Sequence, residues 1–275
     1  MDEAQWIPFA TAPWNAAQRK GFEDILAWDK KLKTLAVDDL PRDQLKEKLM
    51  KEAAILREHG ACALVPESFC KPIFAHAATL NLKPELFIQQ FEHAYYHYGA
   101  LEFEDNAALK QYMQAVVIPR GTLVAGLADM AHTWQVPQVA NLATAFSLVG
   151  KLLALKDDLK KGRLFIPLAD LAQAGVSIEA LAQGVNDART QKLLWKQVIR
   201  IRDAFAQGQP LVKEVPRKFR RPFKKNWLTG LELVGEIERR QYDLWTRPIT
   251  LTALQRFQIT VLTFIGKGVS HARGR

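Results

Sequence analysis

Apolar residues recur at helical spacing almost from one end of this chain to the other, and that periodicity settles the fold class before anything else. Leu26, Leu32 and Leu35, then Leu45, Leu49, Ile55 and Leu56, give three-, four- and seven-residue spacings with Lys and Glu between them. Amphipathic helices that turn one apolar stripe to a core read this way. Little strand-like alternation competes. Pro41, Pro66, Pro72, Pro84, Pro119, Pro137, Pro167, Pro210, Pro216, Pro222 and Pro248 fall mostly between the periodic blocks, where helices begin and end. The expectation is an all-α chain of about nine to twelve helices joined by short connections.

Several helix starts have a physical signature. Asn81-Leu-Lys-Pro84-Glu85 opens a run ending near Ala100, with Leu86, Phe87, Phe91, Ala94, Tyr95 and Tyr98 on one broad face. Ser177 takes the N-cap role before Ile178, with Glu179 in the first turn where the helix dipole favours an anion. Thr250-Leu-Thr-Ala253 opens the last helix. No internal repeat, low-complexity tract or long linker divides the sequence, so a single domain over residues 1–275 is expected.

At 275 residues the chain can bury a large core without staples. Cys62 and Cys70 read as small buried residues of a protein kept in a reducing compartment, rather than as a redox pair. Asp2, Glu3, Pro8 and Pro13 break up the N-terminal stretch, which lacks the basic and apolar regions of a secretory leader. The apolar run from Phe257 to Gly266 is interrupted by Gln258 and falls short of the roughly twenty residues of a spanning helix. A cytoplasmic protein is expected, with peripheral membrane contact open. The formal charge of +9 raises the prospect of an acidic partner.

Three stretches carry a family likeness. Asp157-Asp158-Leu-Lys-Lys-Gly162-Arg163-Leu-Phe165-Ile-Pro167 ends a helix; Tyr112 is followed nine residues later by Gly121; and Glu238-Arg-Arg-Gln-Tyr242-Asp-Leu-Trp-Thr-Arg247-Pro-Ile-Thr-Leu-Thr leads into the last helix. In order and spacing they resemble the squalene/phytoene synthase family of all-helical isoprenoid synthases. The resemblance implies a helical bundle with a central cavity, and in the active enzymes two Asp-rich helices that hold Mg²⁺ against two prenyl diphosphates. Carboxylates on successive turns of one helical face suit that task, because a leaving diphosphate needs hard cations to neutralise it.

This sequence departs from the pattern where the metal chemistry lies. Aligned from Arg19, Leu26-Ala27-Trp28 and Lys30, the first motif places Lys33 and Val37 where two carboxylates belong; in the second, Ser147, Gly150, Leu153 and Ala154 replace the family's Gln, Asn, Arg and Asp. Lys33 alone turns attraction for a divalent ion into repulsion, about 4 kcal/mol for a unit pair at about 4 Å and an effective dielectric of 20. A shifted register recovers an acidic run, Glu23-Asp24 and Asp29, but Asp24 and Asp29 lie roughly 140° apart around a helix and fit a solvated face equally well.

The resemblance therefore implies a divergent member with degraded Asp-rich motifs. The favoured expectation is a non-catalytic protein that binds an isoprenoid or lipid-like ligand, or serves as an assembly or scaffold factor, as a branch of the family does for respiratory complex I; no cofactor is then needed. The alternative is an active Mg²⁺-dependent prenyl transferase making a squalene- or phytoene-type product. For that chemistry the implied diphosphate residues are Asp157, Asp158, Arg163 and Tyr112, and the implied metal ligands are Asp158, Asp24 and Asp29.

Two other constellations remain. His93 and His97, four apart, could share a helical face as zinc ligands do, but no third ligand is at hand and the neighbouring tyrosines favour an aromatic surface. Arg217, Lys218, Arg220, Arg221, Lys224 and Lys225 interleave with Phe219 and Phe223, a composition able to dock on an anionic membrane or an acidic protein. No nucleic-acid module accompanies the charge, which argues against nucleic acid as a partner.

Overall fold

The structure, a computed structural model, describes residues 12–37 and 40–265. The leading acidic residues and the Gly266–Lys267 end of the last apolar run lie outside the described residues. Fourteen α-helices and no named strand are present among them, and nine of those helices have eight residues or more. The long elements thus match the expected number, and the surplus consists of short turns of helix at connections. The described residues fall into two compact units, one formed by Trp14–Gly99 with Lys110–Ala140 and the other by Ala100–Leu109 with the chain from Asn141 onward.

The first unit holds α1 (Ala16–Leu32), α2 (Arg42–His59), α3 (Glu67–Thr79), α4 (Glu85–Glu92) and α6 (Ile118–Leu127), with α5 (Asn106–Tyr112) entering it. α1 packs on α3, α4 and α6, and α2 packs on α4. Asn15 and Gln18 start α1 with a reciprocal capping box that satisfies two otherwise orphaned N–H groups. At its other end the Tyr98 hydroxyl accepts from the Leu35 N–H at 2.7 Å and donates to the Leu32 carbonyl at 2.8 Å. Trp28 is fully buried, with Phe74 and Phe87 at 5.5 and 5.6 Å between ring centroids. Its indole N–H donates to the Phe87 carbonyl, so truncating this ring would cost about 3–5 kcal/mol. On α2, Leu45, Leu49, Ala53 and Leu56 form the core face, whereas Ile55 points to solvent.

Two helices differ from the expectation. The run toward Ala100 breaks after Glu92 and continues as a 3₁₀ turn, Ala94–His97. The His93 ring bonds the Gln89 carbonyl at 2.9 Å, competing for the acceptor that the next helical N–H would use. The Tyr112 to Gly121 stretch passes from α5 through a π-helical turn, Met113–Val117, into α6. Pro119 has no N–H to offer the Ala115 carbonyl, and the ladder shifts register there.

The second unit holds α8 (Leu155–Lys160), α9 (Leu168–Ala174), α10 (Ile178–Ala182), α11 (Ala188–Gly208), α12 (Leu211–Glu214), α13 (Arg217–Arg239) and α14 (Ala253–Ile265), with most of α7 (Val136–Leu153). α11 packs on α9 and α13, and α14 lies against α13. Phe146, Phe205 and Trp227 form its aromatic centre, with successive centroids 5.1 and 5.6 Å apart. Ser177 caps α10 by accepting the Ala180 N–H, as its sequence position predicts. Thr252 and Gln255 close a reciprocal capping box at the start of α14. α7 is long and apolar enough to cross a membrane by length and composition, yet Leu142, Ala145, Phe146, Val149 and Leu152 are buried as in a core helix.

Candidate functional site

The Asp158 to Pro167 signature is built first of all as a helix exit. The Arg163 N–H reaches the Asp158 carbonyl at 2.9 Å and the Gly162 N–H reaches the Leu159 carbonyl at 2.9 Å, which is the paired bonding of a Schellman motif. Gly162 supplies the left-handed conformation that motif needs, at φ +66°. The chain then runs beside residue 101, with the Leu101 N–H on the Gly162 carbonyl and the Leu164 N–H on the Leu101 carbonyl. Pro167 precedes α9 as its N-cap.

Around this exit the second unit gathers a small polar cluster. Lys151 Nζ lies 3.7 Å from Asp158 Oδ2 and 4.0 Å from the centroid of the buried Phe165 ring. The Arg163 guanidinium lies 5.6 Å from that same ring. Asp157 points to solvent, 3.4 Å from Lys160. Lys151 and Asp158 line a small pocket together with Leu148, Leu152, Leu155, Phe165 and Ile201. Its cavity volume is only about 10 Å³, close to the least that holds one water. α7 ends at Leu153, and Ala154 is the half-turn between it and α8.

The remaining implied site residues belong to the first unit. Asp29 on α1 receives Arg120 at 3.0 Å and Lys33 at 2.7 Å. Arg120 itself is buried. Asp24 is buried one and a half turns earlier, bonded to His76 Nδ1 at 2.7 Å and to Lys20. Glu23 is exposed on the same helix. Lys33 is the C-cap of α1 and Val37 lies beyond the helix, so these two positions are not two turns of one helical face. Tyr112 is buried edge-on to Tyr96 at 5.2 Å. Among the described residues, no three His, Cys, Asp or Glu side chains gather as a metal cluster.

His93 and His97 fall on different elements, the end of α4 and the 3₁₀ turn. Burial pushes the Cys70 thiol up to about 12 and raises that of Cys62, which leaves both as neutral thiols near pH 7. Phe219 and Phe223 are buried on the core face of α13, so the basic run keeps its cations outside but has no ring of its own to insert into a surface.

Sequence spacing did not reveal the partners that hold these carboxylates. Arg120, His76 and Lys151 reach their partners across 91, 52 and seven residues. Arg120 lies within the Tyr112 to Gly121 stretch, where a basic residue in an apolar run was the available signal. Asp170 was also missed. It is buried between α9 and α11, accepting from Lys196 at 2.7 Å, Gln197 at 3.1 Å and Arg200.

Comparison with known proteins places this architecture. Among solved structures, a squalene synthase HpnC from Alicyclobacillus acidocaldarius superposes with a TM-score of 0.68 at 20% identity, covering 88% of both chains. A ligand-bound dehydrosqualene synthase gives 0.71 at 13% identity over 95% of this chain and 90% of its own. Among characterised sequences, phytoene synthase 1 of Zea mays is 30% identical over 106 residues, and 15-cis-phytoene synthase of Synechococcus elongatus is 28% identical over 106 residues. Those matches span 38% of this chain but only 26% and 34% of the relatives' lengths. The profile described as squalene/phytoene synthase matches residues 18–260, and the chain belongs to the squalene/phytoene synthase family.

Proposed function

We propose that this chain is a non-catalytic member of its family, one that keeps the helical fold to bind an isoprenoid or lipid-like ligand or to serve as an assembly or scaffold factor. The observation that carries the reading is the state of Asp29. It lies between Arg120 and Lys33, so protein cations occupy the place where a divalent ion would have to approach. Asp24 is taken up by His76 and Lys20, and Asp158 faces Lys151. This donor set does not suit Mg²⁺. The ion needs near-ideal octahedral oxygen ligation and dehydrates reluctantly, and each fixed cation within about 4 Å opposes it by several kcal/mol.

The pocket that Asp158 lines combines Lys151 and Gln197 with Leu148, Leu152, Leu155 and Phe165, a mixed lining compatible with a lipid-like ligand, but at its present volume a prenyl tail would have to open it. The test is incubation of the purified chain with Mg²⁺ and farnesyl or geranylgeranyl diphosphate, followed by assay of pyrophosphate and lipid product. No turnover is expected. Product formation that disappears on Asp158→Ala would overturn the reading in favour of an active prenyl transferase.

A further inference from the structure

α14 has an apolar face that the protein leaves in solvent. Leu254, Phe257 and Phe264 are 65%, 65% and 62% exposed, and Val261 between them is partly exposed. Positions 254, 257, 261 and 264 follow the spacing of a single helical stripe, within an arc of about 80°. Leu262, 42% exposed, flanks it. The opposite side of the helix is the one that packs on α13, through the buried Ile259. Four of the ten large exposed apolar residues among those described thus fall within eleven residues, which separates this ridge from the scattered surface apolars of ordinary proteins.

The ridge is bordered by charge of one sign. The Arg221 guanidinium lies 4.7 Å from the Phe264 ring centroid, and Lys224 donates to the Leu262 carbonyl at 2.7 Å. These contacts bring the basic opening turns of α13 alongside the C-terminal half of α14. Arg217, Lys218, Arg220 and Lys225 on the same turns are exposed. At the other end of the pair, Glu232 and Glu236 are already engaged by Arg239, Arg240 and Gln255, so they do not cancel this field.

We propose that the α13–α14 ridge docks the protein on an anionic lipid bilayer, with the α14 stripe entering the headgroup region and the α13 cations meeting acidic lipid heads. The chemistry favours a bilayer over a folded partner. Interfacial helices combine an exposed apolar stripe with flanking Lys and Arg, as α14 and the opening turns of α13 do. Within the described residues α14 has 13 residues, fewer than a spanning helix needs. The proposal goes beyond the non-catalytic reading and holds whether or not the chain turns over a substrate.

The test is co-sedimentation of the full chain with mixed phosphatidylserine–phosphatidylcholine vesicles and with pure phosphatidylcholine vesicles at low and high salt. Binding is expected only to the acidic vesicles, weakening as salt rises. Arg217→Glu with Lys225→Glu should weaken it by at least roughly fivefold per cation removed. Phe257→Ser with Phe264→Ser should weaken it by roughly tenfold or more per ring. Met50→Ser, an exposed apolar change on α2, should leave it unaltered, and circular dichroism melts confirm that each variant is folded. Equal binding to both vesicle types, or folded variants that bind like the parent, would overturn the proposal. So would a dimer in vesicle-free solution that Phe257→Ser dissociates, since the ridge would then belong to a second copy.

Discussion

Asp170→Asn should expose a pH-dependent part of the stability of the second unit. Burial by itself would raise the Asp170 pKa, but hydrogen bonds from Arg200, Lys196 and Gln197 outweigh it and hold the group at about 2, against an ordinary value of 3.8. That fall corresponds to about 2 kcal/mol at neutral pH. The side chain is 6% exposed, whereas Arg200 and Lys196 are 22% and 39% exposed, so both cations can rehydrate once the carboxylate is gone. The cost should therefore fall below the 3–5 kcal/mol of a fully buried broken pair, at about 2–3 kcal/mol. Because the folded pKa is depressed, the contribution is complete well above pH 3.8 and fades as the pH falls through about 2. Urea denaturation of parent and variant at pH 7 and pH 3 should show a gap that narrows by about 1 kcal/mol at the lower pH. An equal gap at both pH values would mean that shape rather than charge carries the contact. A gap below about 0.5 kcal/mol at pH 7 would reduce the cluster to an ordinary surface pair.

Further outcomes follow from packing and charge. In Gly230→Ala the new Cβ would stand 2.6 Å from Phe205 and 3.1 Å from Phe146, both buried rings; overpacking should exceed the helix-propensity gain and leave a net loss of about 1–2 kcal/mol, read as a lower Tm. Gly162→Ala forces a side chain into φ +66° with Ala100 Cβ 3.3 Å away, and should cost about 1–2 kcal/mol in urea denaturation. On the proposed function, 10 mM Mg²⁺ should shift stability by less than about 0.4 kcal/mol, as expected for a Kd weaker than about 10 mM; a rise of several degrees in Tm that Asp29→Asn removes would contradict it.

What the sequence made legible was local. A cap bonds three residues away and an amphipathic stripe repeats every turn, so Ser177, Thr252 and the long helices were readable from spacing. His93 broke a readable helix because its side chain competes with the backbone for Gln89, which periodicity does not register. Phe219 and Phe223 show the opposite failure. Their interleaving with Arg and Lys looked like a surface composition, yet helical geometry sends both rings to the core and the cations to solvent. The exposed rings stand on α14 instead. Carboxylates at the candidate site could be named from the sequence, but their partners could not, because Asp29–Arg120 and Asp24–His76 close over 91 and 52 residues.

Those partners decide what the carboxylates can do. A metal site stores uncompensated negative charge until the ion arrives, and that charge is tolerable only where ligands face solvent or one another. Asp29 instead meets two cations, one of them the buried Arg120. A divalent ion arriving there would have to displace Arg120 and strand a buried guanidinium, at about 3–5 kcal/mol, while still facing Lys33 at the rim. Restoring an acidic residue at position 33 would remove only the second obstacle. It would also place that residue at the C-cap of α1, where the helix dipole disfavours a negative charge. On the proposed function, the departure from the Asp-rich pattern is thus more than a set of missing side chains: Asp29 is built into the ion pairing that holds α1 to α6.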